Sequence, residues 1–317
     1  MRILLVGRKL NYNAEFFYEK AFREIGEEVL LVDSYTGVGR DFMSRIIHTR
    51  TRTFDFTLSN YWINRHLPRI VESYDPDAVI VFKGDFISER TVEEISQNRN
   101  VYLLYPDTYK FKPILRRTIR HYNIVFTAAN RRDFYYHMGA RKAVTVPWAC
   151  DPAFHKPMDI EKRYMVSFIG TAYLERRKII RKLPKVDVFG DFWFGFGEKS
   201  HRSVHGEDFV RTINQSFINL NLQARISVIA DAPTMRTFEV AGCGGFQISD
   251  YMPSLTRYFP MMPTFKDAND LKEQIEFYLN NKEEREEIGL KCMEICKAKF
   301  KYTDSAKVIL STLSNSG

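Results

Sequence analysis

Long apolar runs are missing. No stretch of the 317 residues approaches the roughly 18 to 20 consecutive apolar residues that span a bilayer. The N-terminus, MRILLVGRKLNY, has one short apolar run and then turns polar. It reads as a buried strand rather than a signal peptide, which places the protein in the cytoplasm. Cysteine is scarce: Cys150, Cys243, Cys292 and Cys296, none at zinc-ribbon or thioredoxin spacing. Cys292 and Cys296 stand i, i+4 on a predicted helix, but two ligands alone make a poor metal site. All four read as buried, inert thiols. His48, His121, His137, His201 and His205 show no metal spacing either. There is no G-x-G-x-x-G, no Walker loop and no low-complexity segment.

What is present is ordinary for a soluble globular chain: 44% apolar and 27% charged residues. A length of 317 residues exceeds what one hydrophobic core usually serves, so two domains are expected. The net charge of +8 is uneven. Residues 1–150 hold 23 Lys/Arg against 17 Asp/Glu, an excess of 6, and the remainder holds 24 against 22, an excess of 2. A basic first half suits an anionic partner. A phosphorylated substrate, a membrane surface and nucleic acid all fit, as does a merely solvated basic face.

The first half alternates strand-like and helix-like segments. RILLVG (2–7), EVLLVD (28–33), DAVIVFKG (77–84), VYLLYPD (101–107), NIVFTAA (123–129) and AVTVPW (143–148) are continuous and rich in Val, Ile and Leu. Strands buried on both faces have that composition. Amphipathic stretches lie between most of them, one ending at Gly26, a plausible C-cap. The segment DPAFHKPMDIEKR (151–163) has no period and reads as a linker. The pattern then restarts with YMVSFIG, VDVFG, INLNLQ and FQISD. Helices are predicted at 268–281, at 283–299 and near 303–314. The fold class is therefore α/β, two Rossmann-like, doubly wound parallel-sheet domains. Such sheets bind ligands beyond the carboxyl ends of their strands, so two of them facing each other would form a cleft.

The stretch TMRTFEVAGCGGFQISDY (234–251) carries the most chemistry. A helix from about Pro233 to Gly242 would start with a proline, and Gly244 or Gly245 would take the left-handed cap. Its N-terminus at Thr234, Met235 and Arg236 is an anion site to which Arg236 adds a bidentate donor. Glu239 lies one turn on, on the same side, where a carboxylate can accept sugar hydroxyls. An Arg–Glu surface pair beside a glycine cap would look the same. In VSFIGTAYLERRKII (166–180) a strand ends at Gly170 and Thr171 and a helix with Arg176 follows, a turn that lets backbone N–H groups approach a phosphate. In VDVFGDFWFG (186–195) Gly190 ends a strand and aromatics follow, which could wall in a flat base. In the first half, FKGDF puts Lys83 and Asp85, and YPDTY puts Asp107, at strand ends. A carboxylate there could act as a general base, and it could equally be a helix cap.

These residues resemble the CgeB-like glycosyltransferases, which have the GT-B fold with a group-1-type C-terminal domain. MRTFEVAGCGGFQISDY looks like that family's R-x-F-E-x-x-A-x-G-G-F signature, and FIGTAYLERRKII, VDVFG, INLNL, FKGD and YPDTY look like family positions. The resemblance implies an acceptor domain at 1–155, a nucleotide-sugar donor domain at 156–300, and a C-terminal helix at 301–317 packing back on the first domain. It implies transfer of a sugar from a nucleotide-diphosphate donor of UDP or GDP type, without a metal or other cofactor. By the same resemblance Glu239 would bind the ribose. Arg236, Thr234, Gly170, Thr171 and Arg176 would hold the diphosphate, with Gly244 and Gly245 in the same motif. Gly190 would border the base, and Lys83 would lie on the acceptor side. If the reaction inverts, Asp107 is the first base and Asp85 the second. Retaining members commonly carry two glutamates eight residues apart, but here Asp231 stands eight before Glu239. The acceptor stays open: a glycan, a lipid-linked group or a protein. Two other readings remain, a non-catalytic nucleotide-sugar-binding module and a DNA-modifying glycosyltransferase. The latter is suggested by Arg45, Arg50, Arg52, Arg116, Arg117 and Arg120.

Overall fold

The computed structural model describes residues 1–34, 58–84, 86–106 and 113–315. The chain divides into two compact units, Met1–Val146 with Ala306–Gly317, and Pro147–Ser305. Each is built on one six-stranded sheet.

In the first unit the strands are β1 (Arg2–Gly7), β2 (Glu28–Asp33), β3 (Ala78–Phe82), β4 (Val101–Tyr105), β5 (Ile124–Thr127) and β6 (Ala143–Thr145). They pair in the order β2-β1-β3-β4-β5-β6, all parallel. Continuous aliphatic runs form these strands because helices cover both faces. Ile3 to Val6 and Ala78 to Val81 are sealed from water. The first helix, α1 (Ala14–Glu24), starts where Asn13 accepts the Phe16 N–H at 3.2 Å. It ends at Gly26, φ +92°, with Gly26 N–H bonded to Arg23 O and Glu27 N–H to Phe22 O. That pair of bonds is a Schellman cap. The helices α2 (Leu58–Tyr74), α3 (Glu89–Ser96), α4 (Pro113–Thr118) and α5 (Asp133–His137) complete the layers described.

In the second unit the strands are β7 (Tyr164–Ile169), β8 (Val186–Phe189), β9 (Ser200–His201), β10 (Ser216–Asn221), β11 (Gln247–Asp250) and β12 (Thr264–Phe265). Their order is β12-β11-β10-β7-β8-β9, again all parallel. The chain winds outward from β7 through β8 to β9, then returns to β7's other side with β10. The topological switch therefore falls between β7 and β10. The helices are α6 (Leu174–Ile180), α7 (Gly206–Asn214), α8 (Arg225–Ile229), α9 (Met235–Gly242), α10 (Pro253–Tyr258), α11 (Ala268–Asn280) and α12 (Lys282–Lys299), and the last helix, α13 (Tyr302–Ser314), lies mostly in the residues assigned to the first unit. A core of Val166, Phe168, Val188, Ile218, Leu220 and Ile248 fills the middle.

Three expectations change. The strands β9 and β12 have two residues each, too short for any periodicity to reveal them. Helix α9 starts at Met235 with Thr234 as N-cap, so Pro233 precedes the helix instead of opening it. The segment read as a linker begins as a packed turn. Asp151 Oδ1 accepts the N–H groups of Ala153 and Phe154, and His155 is 1% exposed. All four cysteines are buried. Burial pushes the Cys292 thiol up to about 12 and raises Cys243 further, so both stay protonated and unreactive.

Candidate functional site

The site is built at the switch between β7 and β10, where open α/β sheets bind ligands. Gly170 and Thr171 follow β7, and Leu222 and Gln223 follow β10. Arg176 spans the two ends: its Nε donates to Leu222 O at 3.0 Å and its Nη1 to Thr171 O at 3.1 Å. Phe168 and Tyr173 stack against the guanidinium. Burial, with Arg236 nearby, pulls Arg176 down to about 10, so it remains a cation at neutral pH. Two of its nitrogens are committed to backbone carbonyls, which makes it a strut as well as a charge.

Gly190 follows the neighbouring strand β8. A Cβ there would stand 2.3 Å from Gly170 O, so only glycine permits this approach of two strand ends. The indole Nε1 of Trp193 also donates to Gly170 O, at 2.7 Å. A Cβ on Gly170 would meet Arg236 Nη1 at 3.3 Å, which places the second guanidinium over this turn.

Arg236 lies in the first turn of α9. No side chain caps that helix, and the Thr234 N–H is taken by Gln223 Oε1 at 3.3 Å. The first-turn amides of α9 and the Arg236 guanidinium thus gather positive potential at one point. Arg236 Nε is buried without a hydrogen-bond partner. Burial lowers the Arg236 pKa, with Glu239 opposing. Among the described residues Arg236 forms no ion pair, so the pair of a solvated helix face is not what the structure holds. Glu239, 4% exposed, instead meets His155 Nε2 at 3.5 Å. The Asp151 N–H donates to His155 Nδ1 at 3.0 Å. That bond leaves the ring proton on Nε2, facing the carboxylate.

Gly244 and Gly245 stand at the other end of α9, roughly 12 Å along the axis at 1.5 Å per residue. Gly244, φ +69°, and Gly245 bond back to Ala241 O and Val240 O, a second Schellman cap. Their neighbours are Met293, Pro157 and Ile213. Their part is capping and packing. Asp231, φ +50°, accepts the Ser254 N–H at 2.9 Å and lies 3.5 Å from Arg257. It serves the start of α10, not that of α9.

Sequence reasoning missed His155, which lies in the segment read as a linker. It also missed Gln223 and Asp250. The carboxylate of Asp250 accepts the Gln223 N–H at 2.6 Å, and burial raises its pKa to about 6. A signal for Gln223 was available: Asn219, Asn221 and Gln223 recur at period two in an otherwise apolar strand.

In the first unit Lys83 follows β3 with φ +62°, beside Gly84 at +68°. A non-glycine residue in that region is uncommon and often marks a functional turn. Lys83 lines a small pocket with Arg8, Glu15 and Ser34 at the switch between β1 and β3. Asp85 and Asp107 lie outside the described residues, as do Arg45, Arg50 and Arg52. No group of three His, Cys, Asp or Glu suited to a metal occurs among the described residues. No helix among them is long and apolar enough to cross a membrane.

Residues 173–311 match the family model described as "Glycosyl transferase-like". That match covers under half of the chain, and the two doubly wound parallel sheets have the GT-B fold of solved glycosyltransferases. The chain is 23% identical over 243 residues to spore protein CgeB of Bacillus subtilis (strain 168), covering 68% of this chain and 76% of that one. The fold is that of Anabaena HepE solved in complex with UDP-glucose, at TM-score 0.67, 10% identity, and 99% and 100% coverage. It is equally similar to the sucrose-phosphate synthase of Thermosynechococcus elongatus, at TM-score 0.67, 9% identity, and 99% and 98% coverage.

Proposed function

We propose that the second unit binds a nucleotide-diphosphate sugar and that the protein passes the sugar to an acceptor without a metal ion. One observation carries this reading. Two guanidiniums, Arg176 and Arg236, converge on the Gly170–Thr171 turn, and the Nε of Arg236 is buried with nothing to bond. An orphaned buried donor costs about 1–3 kcal/mol, more when charged, and a bound anion relieves that cost. A diphosphate is the anion that the geometry suits. Its oxygens would meet Arg236, the remaining Arg176 nitrogen and the α9 N-terminus. Those groups would then stabilise the charge that develops as the sugar–phosphate bond breaks. Glu239, held by His155, is left to take the ribose hydroxyls. The UDP and UDP-glucose complexes of the HepE fold neighbour favour a UDP donor. If transfer inverts, Asp107 and then Asp85 remain the proposed bases.

The test is thermal melting against UDP-, GDP-, CMP- and dTDP-sugars with EDTA present. A selective rise with one nucleotide is expected. Arg236→Ala should weaken that binding about 100-fold, the scale of a lost charge-assisted bidentate contact. Its ligand-free melting temperature should hold or rise, because the orphaned donor is gone. A large loss of stability in Arg236→Ala would make the arginine structural and sink the reading.

A further inference from the structure

The loop after β8, residues 190–199, carries exposed aromatic rings that the nucleotide reading does not require. Phe194 is 74% exposed and Phe192 45%, while Trp193 between them is 3% exposed. This alternation is built, not slack. Trp193 is anchored inward through its bond to Gly170 O. Arg177 clamps the two flanking carbonyls, Nη1 to Phe192 O at 2.6 Å and Nη2 to Phe194 O at 2.8 Å. Leu174, 66% exposed at the start of α6, joins them, because Ala172 N–H bonds Asp191 O and holds the two loops side by side. Three large apolar side chains are thus held exposed on adjoining loops, an apolar patch of the kind that marks a contact surface.

The surroundings say what the contact is. Residues 174–202 contain eight Lys/Arg and four Asp/Glu, so they carry +4 of the chain's net +8. Lys178, Arg181, Lys182, Lys185, Lys199 and Arg202 are exposed, against exposed Glu175, Asp191 and Glu198. Exposed aromatic rings on a segment rich in exposed cations complement a surface that is anionic outside and apolar within. We propose that this loop and helix α6 dock the protein on an anionic lipid bilayer. Phe192, Phe194 and Leu174 would enter the headgroup boundary while the cations pair with lipid phosphates. This surface belongs to the second unit, and the proposal does not depend on the donor reading.

The experiment is co-sedimentation of the full chain with phosphatidylcholine vesicles, with and without about 30% phosphatidylglycerol. Binding is expected only with the anionic lipid, and it should fall several-fold between about 0.1 M and about 0.5 M salt. Phe192→Ser/Phe194→Ser and Lys178→Glu/Lys182→Glu should each bind at least about tenfold more weakly at unchanged melting temperature. No association with either vesicle, or variants that bind like the parent, would overturn the proposal. So would a Phe192→Ser/Phe194→Ser protein that keeps vesicle binding but loses nucleotide-induced stabilisation. That result would make the loop a platform for the base.

Discussion

The central strands of the first unit are filled with aliphatic side chains, whereas those of the second carry amides and hydroxyls that bond one another. β1 and β3 present Ile3, Leu4, Leu5, Val79, Ile80 and Val81 to their two helical layers. In the second unit Asn221 donates to Thr237 Oγ1 at 2.6 Å and to Gln247 Oε1 at 3.2 Å. Gln247 donates to Thr237 O, and Gln223 reaches both Thr237 and Ser249. A buried amide without a partner costs a few kcal/mol, and a satisfied network repays that with fixed geometry. Apolar packing holds a sheet together but leaves a helix free to slide by small amounts. Here the bonds tie Thr234 and Thr237 of α9 to the ends of β10 and β11. They set where the helix begins, and so where Arg236 stands. The unit with the more expensive interior is the one that aims a cation.

The sharpest test compares two glycines. Gly190→Ala sets a Cβ 2.3 Å from a backbone oxygen at the switch point. Neither strand can yield cheaply, so a loss of about 4 kcal/mol or failure to fold is expected. Gly26→Ala in the first unit meets no atom within 4 Å and suffers only its φ of +92°, about 1 kcal/mol. Urea denaturation of both variants measures the gap. Equal losses would mean that the close approach of β7 and β8 is not a constraint.

A smaller effect probes the network itself. Asn221→Leu strips a donor from both Thr237 and Gln247 and should cost about 2 kcal/mol. Asn221→Leu combined with Gln247→Leu should cost less than the sum of the single changes, since each single variant leaves a partner stranded. Strict additivity in a denaturation cycle would show that these amides act singly and that the contrast with the aliphatic sheet is one of composition only.

The architecture was legible because its signals are local. Continuous Val, Ile and Leu runs located ten of the twelve strands among the described residues, and Gly26 and Gly244 announced the helix ends they cap. Arg236, Thr234, Gly170, Thr171, Arg176 and Gly190 were chosen for what strand ends and helix starts can do, and in the structure they gather at one switch point. What escaped was long-range. Nothing in the spacing of Asp151 and His155 shows that the ring meets Glu239, 84 positions on. Nor does the proximity of Asp231 to Glu239 in sequence reveal that its carboxylate turns to Ser254. Arg176 was read as a ligand contact, yet two of its nitrogens brace the sheet. One residue can serve both purposes, and sequence cannot apportion them.

Asp250 gives the finest test of the contrast, because its charge bears on the cations of the network unit alone. Its folded pKa is raised from 3.8 to about 6, first by burial, against the opposing Gln223 N–H bond and Arg176. An acid held above its unfolded value binds its proton more tightly when folded. Its contribution is therefore fully present below about pH 4 and is lost as pH rises through about 6. Asp250→Asn should remove that slope. Relative to the parent, the variant should gain about 1 kcal/mol between pH 4.5 and 7.5, less than the full shift implies because the carboxylate is partly solvated. The ionised carboxylate also offsets Arg176 and repels an incoming diphosphate, so Asp250→Asn should bind the nucleotide a few-fold more tightly at pH 7.5. The two proteins should converge near pH 5. Parallel titrations of UDP at both pH values decide the matter. A variant whose advantage does not shrink on acidification would show that Asp250 acts through its bond to Gln223, and that its charge does not reach the site.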